Sequence, residues 1–198
     1  MCGGEGSRLE SPHEKPLHPI DGVAMVDRVR EALAASRVET IYAAVSPNAP
    51  ETRAHLEQDD APTVTTVETA GEGYVADLGA VLERPAVEPP VLTVAADLPL
   101  LEATVVDRIL AFHGERDASR TVCVPVALKR RLGVGVDATL EGAPHLAPTG
   151  INVVGSSDET MTAIHYDPRL AVNVNRRTDA RVAASHLQRR RSEGDPCA

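Results

Sequence analysis

Gly3-Gly4-Glu5-Gly6-Ser7-Arg8-Leu9, followed by Glu14-Lys15-Pro16-Leu17, opens the chain and decides how the rest is read. Glycines let backbone N–H groups approach an anion with no Cβ in the way. Arg8 adds a guanidinium suited to fork-like phosphate contacts, and Lys15 adds a compact point charge. The stretch therefore reads as a loop that holds the phosphates of a nucleotide. Two other phosphate loops fail on spacing. A Walker loop ends in Gly-Lys-Ser/Thr, but Gly6 is followed by Ser7-Arg8. The dinucleotide fingerprint needs a third glycine where Leu9 stands.

The chain has 198 residues, enough for one domain with a real core. A net charge of −9 argues against a protein that coats nucleic acid, and the cation run Arg189-Arg190-Arg191 reads as a solvated helix end. No apolar stretch approaches the ~20 residues that span a bilayer, and no signal-peptide pattern opens the chain. Cys2, Cys123 and Cys197 are too widely spaced for a zinc motif and read as reduced thiols of a cytoplasmic protein. Lys15 and Lys129 are the only lysines among twenty Lys and Arg residues. Acidic excess, scarce lysine and a single Phe (Phe112) resemble proteins of salt-loving archaea; GC-rich coding produces the same arginine bias.

Apolar periodicity predicts a helix over 23–34, strands at Val38–Val45 and Thr63–Val67, and helices opening at Pro50 and Tyr74. The continuous run Val91–Ala96 reads as a strand buried on both faces at the sheet centre. A helix is expected over 102–115, strands at Thr121–Leu128, Thr149–Gly155 and Leu170–Asn175, and a closing helix over 179–191. Alternating strands and helices predict an α/β fold, a single Rossmann-like domain over residues 1–191 with a mainly parallel central sheet flanked by helices. Residues 192–198 read as a frayed tail. Such a phosphate loop normally follows a central strand. Only Met1 and Cys2 precede it, so the first strand is expected to be missing from this N-terminus. An upstream start is the favoured explanation, because an absent central strand leaves ladder groups unpaired.

Asp97 ends the central apolar run, where ligands of open α/β sheets bind. A carboxylate there suits Mg²⁺, which takes one or two protein oxygens and completes its shell with phosphates. Gly71-Glu72-Gly73-Tyr74 opens a helix and can receive a base edge or a ribose. Ser46-Pro47-Asn48 ends another strand and lines a pocket or makes a turn. Gly150-Ile151-Asn152 and Asn173-Val174-Asn175 put amides among apolar residues, where they need partners; a substrate contact, a metal contact and an internal bond all fit. The histidines show no metal spacing.

Together these motifs carry a family resemblance that runs nearly end to end. Cys2–Leu9, Glu14–Leu17, Val45–Pro50, Gly71–Leu78, Ala95–Leu101, Gly150–Val154 and Asn173–Asn175 resemble the archaeal GTP:adenosylcobinamide-phosphate guanylyltransferases, within the superfamily that includes molybdenum-cofactor guanylyltransferases. The resemblance implies transfer of GMP from GTP to adenosylcobinamide phosphate with release of pyrophosphate, in the nucleotide-loop assembly of cobalamin. It implies Arg8, Lys15 and Asp97 as catalytic residues. Gly3, Gly4, Glu5, Gly6, Ser7, Arg8, Lys15, Ser46, Asn48, Thr69, Gly71, Gly73, Tyr74 and Asp97 would hold the nucleotide. Gly150, Ile151 and Asn152 would stand near the reacting centre on the acceptor side, with Asp97 and Asn175 as Mg²⁺ ligands. It leaves a homodimer and peripheral membrane association of the pathway open, and predicts neither a membrane segment nor a nucleic-acid partner. From the residues alone, molybdenum-cofactor guanylyl transfer, sugar-phosphate nucleotidyl transfer and a non-catalytic GTP-binding regulator remain open. The joint presence of Arg8, Lys15 and Asp97 argues against the last.

Overall fold

The structure, a computed structural model, describes residues 1–2, 7–58 and 64–194. The apolar run Val91–Val94 forms β5, with Thr93 and Val94 buried; it is the first strand of the four-stranded sheet and not, as its lack of polar alternation suggests, a central one, because it is apolar packing against helices that covers it. Next to it stand β7 (Leu146–Val154), β6 (Ser119–Pro125) and β8 (Thr160–Ile164), in the order β5-β7-β6-β8. A separate parallel pair is formed by β3 (Ile41–Val45) and β4 (Val64–Glu68). The short β1 (Pro19–Ile20) and β2 (Val23–Ala24) form an antiparallel ribbon.

The expected α/β class is found, with six α-helices among the described residues. The central sheet is mixed, however, rather than mainly parallel. β7 runs antiparallel to β5 and to β6, and only β6 and β8 are parallel. The cause is the connection after β6. Pro125 pairs with Leu146, so the chain leaves and re-enters the sheet at one end, which makes neighbouring strands antiparallel.

Helix α1 (Met25–Ala34) buries Met25, Val26, Val29 and Ala32, one stripe at helical spacing. Helix α4 (Ala103–His113) buries Val105, Val106 and Ile109 and ends at Gly114, whose φ of +62° suits a residue without Cβ. Val29 and Ala32 of α1 and the α4 stripe pack with Val94, Val122, Val124, Ile151 and Val153 as the main core. Helix α2 (Pro50–Gln58) lays Leu56 against Ala43 and Val45, and α3 (Tyr74–Leu82) lays Val81 against Ala44 and Val67. Helix α6 (Arg177–Ser192) closes over Leu9, Met25 and Val174 with Ala183 and Leu187, and so reaches one residue into the expected tail. Residues 195–198 lie outside the described residues. No helix among the described residues is long and apolar enough to cross a membrane.

Three strand expectations are corrected. The strand expected over 121–128 ends at Pro125, and a helix, α5 (Val126–Leu132), begins at once. The φ of −59° at Pro125 suits a helix start, and Gly133 stops the helix in the left-handed region at φ +75°. Leu170–Asn175 is not a strand. It is a 3₁₀ turn (Pro168–Leu170) followed by a segment outside the named strands, apolar because Leu170, Ala171, Val172 and Val174 are fully buried. Strand β8 was not expected, since it lies at the sheet edge with four of its five residues exposed.

Met1 and Cys2 stand between β3 and β5. Cys2 N–H donates to Ala44 O at 2.9 Å, and Ala96 N–H donates to Met1 O at 3.3 Å. The Met1 ammonium also donates to Val94 O at 3.0 Å, and apart from these contacts β3 and β5 belong to separate sheets. The space between them is a cleft of about 560 Å³ lined by apolar side chains including Val26, Val29, Ile41, Leu92 and Leu110.

Ile151 is fully buried in the main core at its pairing with Val94. Ile151→Ala is expected to lower the free energy of unfolding by about 2–5 kcal/mol, through lost transfer energy and the cavity left behind. Urea denaturation at pH 7 measures this, and a loss below about 1 kcal/mol would remove Ile151 from the load-carrying core.

Candidate active site

The site forms where strands end. Ser46–Asn48 follows β3, Thr69–Gly73 follows β4 and Asp97 follows β5, each at the carboxyl end where open α/β sheets bind ligands. Between them is a pocket of about 270 Å³ whose lining includes Lys15, Gly71, Gly73, Tyr74, Asp77 and Asp97. Its floor is ionic. Lys15 Nζ donates to Asp97 Oδ2 and to Asn175 Oδ1, each at 2.6 Å. Both side chains of the Lys15–Asp97 pair are less than a fifth exposed, so the pair is shielded from screening.

Lys15 is held by its neighbours in sequence. It begins the 3₁₀ turn Lys15–Leu17, with Pro16 fixing φ there. Glu14 points the other way and caps α2. Its carboxylate accepts from Glu51 N at 2.8 Å, Thr52 N at 2.7 Å and Thr52 Oγ1 at 2.6 Å. An acidic side chain at a helix N-terminus satisfies free N–H groups and suits the dipole. The Glu-Lys-Pro step is thus clamped between a helix end and the ionic floor.

Asn175 is held at three points. Its Oδ1 receives Lys15, its Nδ2 donates to Asp137 Oδ2 at 2.9 Å, and its backbone N–H donates to Asp179 Oδ2 at 3.1 Å. Asp179, fully buried, also accepts from Gly135 N and Arg176 N. Asp137 accepts in addition from Arg8 Nη1 at 3.2 Å and Arg176 Nη2 at 2.6 Å. Arg8 therefore stands at the rim, with a 64% exposed side chain ready to move.

On the opposite wall the loops after β3 and β4 touch. A Cβ placed on Gly71 would come within 3.1 Å of Ser46 Cβ and 3.4 Å of Asn48 Nδ2. Gly71 N–H donates to the buried carboxylate of Asp77 at 2.9 Å, and Gly73, at φ +113°, precedes α3. The hydroxyl of Thr69 is buried without a partner among the described residues, a polar group left for a ligand or water. Tyr74 hydroxyl meets Thr93 Oγ1 at 2.8 Å and receives Asn152 Nδ2 at 2.9 Å.

The structure thus gathers Lys15, Asp97 and Asn175 into one cluster with Arg8 joined to it through Asp137, and puts Gly71, Gly73 and Tyr74 on the pocket lining; Ser46 and Asn48 pack against Gly71, and Thr69 stands at the end of β4, outside that lining. It separates the Gly150–Asn152 group. Asn152 bonds to Tyr74 on the pocket wall, Ile151 points into the core, and Gly150 packs against Ala95 and Asn173 near Asp97. Gly3, Gly4, Glu5, Gly6 and the side chain of Ser7 lie outside the described residues. Sequence reasoning missed Glu14, Asp77, Asp137, Arg176 and Asp179, polar residues whose signal is only tertiary. Asp77 and Asp179 sit in the first turns of their helices, and that position was the one cue available.

Strand-end loops around a pocket, with a lysine held between a carboxylate and an amide, make a site able to receive an anionic ligand. The chain belongs to the MobA-like NTP transferase domain family, which it matches over residues 1–192. It is 28% identical to the adenosylcobinamide-phosphate guanylyltransferase of Methanocaldococcus jannaschii, over 96% of each chain. Its fold is similar to that of a Bacillus anthracis protein provisionally assigned as a glucose-1-phosphate thymidylyltransferase, with a TM-score of 0.67, 13% identity, and 94% of this chain and 93% of that one covered. A hypothetical transferase from Thermus thermophilus superposes with a TM-score of 0.61 at 19% identity, covering 84% of this chain and 90% of that one.

Gly150 has a φ of +83°, and a Cβ there would lie 2.9 Å from Ala95 Cβ. Gly142 has a φ of +74° with nothing within 4 Å. Gly142→Ala is expected to cost about 1–2 kcal/mol of backbone strain, and Gly150→Ala clearly more, because it also pushes Ala95. Thermal unfolding of the two variants side by side checks this; equal losses would show that the close approach at Ala95 is slack.

Proposed function

We propose that the chain transfers GMP from GTP to adenosylcobinamide phosphate. The observation that carries the proposal is the Lys15 ammonium held between Asp97 and Asn175 at the foot of the strand-end pocket. The 28% identity to the Methanocaldococcus guanylyltransferase over 96% of each chain supports this choice of nucleotide and acceptor.

In this reading a phosphate oxygen of the acceptor attacks the α-phosphorus of GTP. A new P–O bond forms, the bond to the β-phosphate breaks, and pyrophosphate leaves with the bonding electron pair. The nucleophile is already an anion, so no strong general base is needed, and alignment with charge neutralisation supplies the rate. Lys15, 18% exposed, needs only a short movement to place its ammonium on the phosphates. Arg8 can exchange Asp137 for a phosphate oxygen at the rim. Ser46, Asn48, Thr69, Gly71, Gly73 and Tyr74 enclose the guanosine, and Gly150 lets the acceptor approach the backbone beside Asp97. Asp97 Oδ2 and Asn175 Oδ1, the two oxygens now bonded to Lys15 Nζ, are the atoms that would hold Mg²⁺ once the ammonium moves onto the phosphates, which would complete the ion's shell. Bound there with substrate phosphates, Mg²⁺ would neutralise charge on the transferred and leaving groups.

Pyrophosphate release from GTP and Mg²⁺, with and without adenosylcobinamide phosphate, tests the proposal. Release that requires the corrinoid phosphate and fails with ATP is expected. Release with a molybdenum cofactor or a sugar phosphate alone would reassign the acceptor. Lys15→Ala and Asp97→Ala are expected to lower kcat by about 10²–10³-fold with the circular dichroism spectrum unchanged, and near-normal turnover in either would take that residue out of the mechanism.

A further inference from the structure

We infer that Lys129 is a positioning residue that sets the orientation of the Asn173 amide and, through it, of the Asp97 carboxylate. The inference rests on the reading that places Asp97 at the reacting centre. Lys129 lies on α5, outside the pocket lining, and is only 4% exposed. Its Nζ donates to Ala171 O at 2.7 Å and to Asn173 Oδ1 at 3.0 Å. Asn173 Nδ2 in turn donates to Thr149 O at 2.7 Å and to Asp97 Oδ1 at 3.2 Å.

This chain of contacts has one polarity. An ammonium only donates, and a carboxylate and a carbonyl only accept. Asn173 must therefore present its oxygen to Lys129 and its nitrogen to Asp97. Turning the amide over would face NH₂ towards ammonium, and carbonyl oxygen towards both Thr149 O and the carboxylate. Without Lys129 the Asn173 oxygen loses its charged donor, and the amide is free to turn away from Asp97.

Composition points the same way. The only two lysines of an arginine-rich chain converge on Asp97, one directly and one through Asn173. A buried single-point donor fits an ammonium, and a planar five-donor guanidinium does not replace it. Burial depresses the pKa of Lys129, and the carboxylates of Asp97, Asp179 and Asp137 oppose that shift. Burying a charge is costly, and for stability alone an apolar side chain of similar shape serves as well. The two bonds of Lys129 instead fix the 171–173 segment, which leads directly into Asn175.

The test compares Lys129→Met, Lys129→Gln, Asn173→Ala and the Lys129→Met/Asn173→Ala double variant, by turnover and by Mn²⁺ binding in the presence of GTP followed by electron paramagnetic resonance. Residues that orient a metal ligand typically change affinity or activity by about 10–100-fold. Lys129→Met is expected to lower kcat by that amount, with KM for GTP within about threefold, and to weaken Mn²⁺ binding. Lys129→Gln, which keeps one donor, is expected to fall between wild type and Lys129→Met. The double variant is expected to be no worse than Asn173→Ala alone. A kcat and Mn²⁺ affinity unchanged in Lys129→Met, additive losses in the double variant, or failure of both Lys129 variants to fold would each overturn the inference. If wild type shows no corrinoid-dependent turnover, the proposed acceptor fails, and Mn²⁺ binding alone still decides the role of Lys129.

Discussion

The polar network at the strand ends is organised around one half-buried cation, the ammonium of Lys15. It draws together residues 82 and 160 positions away in sequence, Asp97 and Asn175. The ammonium meets the negative charge of Asp97 and adds a second charge-assisted bond to the neutral amide oxygen of Asn175. The rest of the polar network keeps that cation in place. Glu14 anchors the preceding residue to α2, Asp179 anchors the backbone of Asn175, and Asp137 ties Asn175 to Arg8 and Arg176. The site is preorganised in the sense that matters for phosphoryl transfer, because its charges are oriented before substrate arrives.

The same network explains why so many polar groups are tolerated near the core. Asn173, Lys129, Thr149 and Asp179 each find protein partners, and the buried Thr149 hydroxyl donates to Val122 O at 2.9 Å. A buried polar network is favourable only when its members are satisfied. Thr69, in the loop after β4, is an exception, its hydroxyl buried without a partner among the described residues.

Much of this was legible in the sequence. The apolar run ending in Asp97 placed a carboxylate at a strand end, and the glycines at 71 and 73 marked a loop of unusual backbone conformation. The spacing of Lys15 after the glycine loop marked it as a site residue, although no spacing shows that it faces Asp97 and Asn175. The residues that hold the site were not legible. Glu14, Asp137 and Lys129 are ordinary charged residues locally, and their partners are brought to them only by the fold. Apolar content also misled. Val126, buried on a helix face, and Leu170, Ala171, Val172 and Val174, buried in a segment threaded under α6, are apolar because of that burial, and a short apolar run does not state its own conformation. The mixed sheet went unread for a related reason, since strand direction is decided by where a connection returns and not by its composition.

The cleft between β3 and β5 gives the molecule a seam. Adjacent strands of a continuous sheet resist sliding because each step breaks a row of backbone bonds, whereas among the described residues β3 and β5 share no ladder and meet through Met1 and Cys2. On the pocket side a single aromatic side chain crosses the seam, Tyr74, whose hydroxyl reaches from α3 to Thr93 on β5 and Asn152 on β7. The loops after β3 and β4 and the Asp97 floor therefore belong to two plates joined by side chains more than by backbone. Apolar packing of Val26 and Ala96 with Ala43 and Val45, and of Val91 with Ala44 and Val67, holds the plates together, so the width of the pocket is a packing distance and not a hydrogen-bond length.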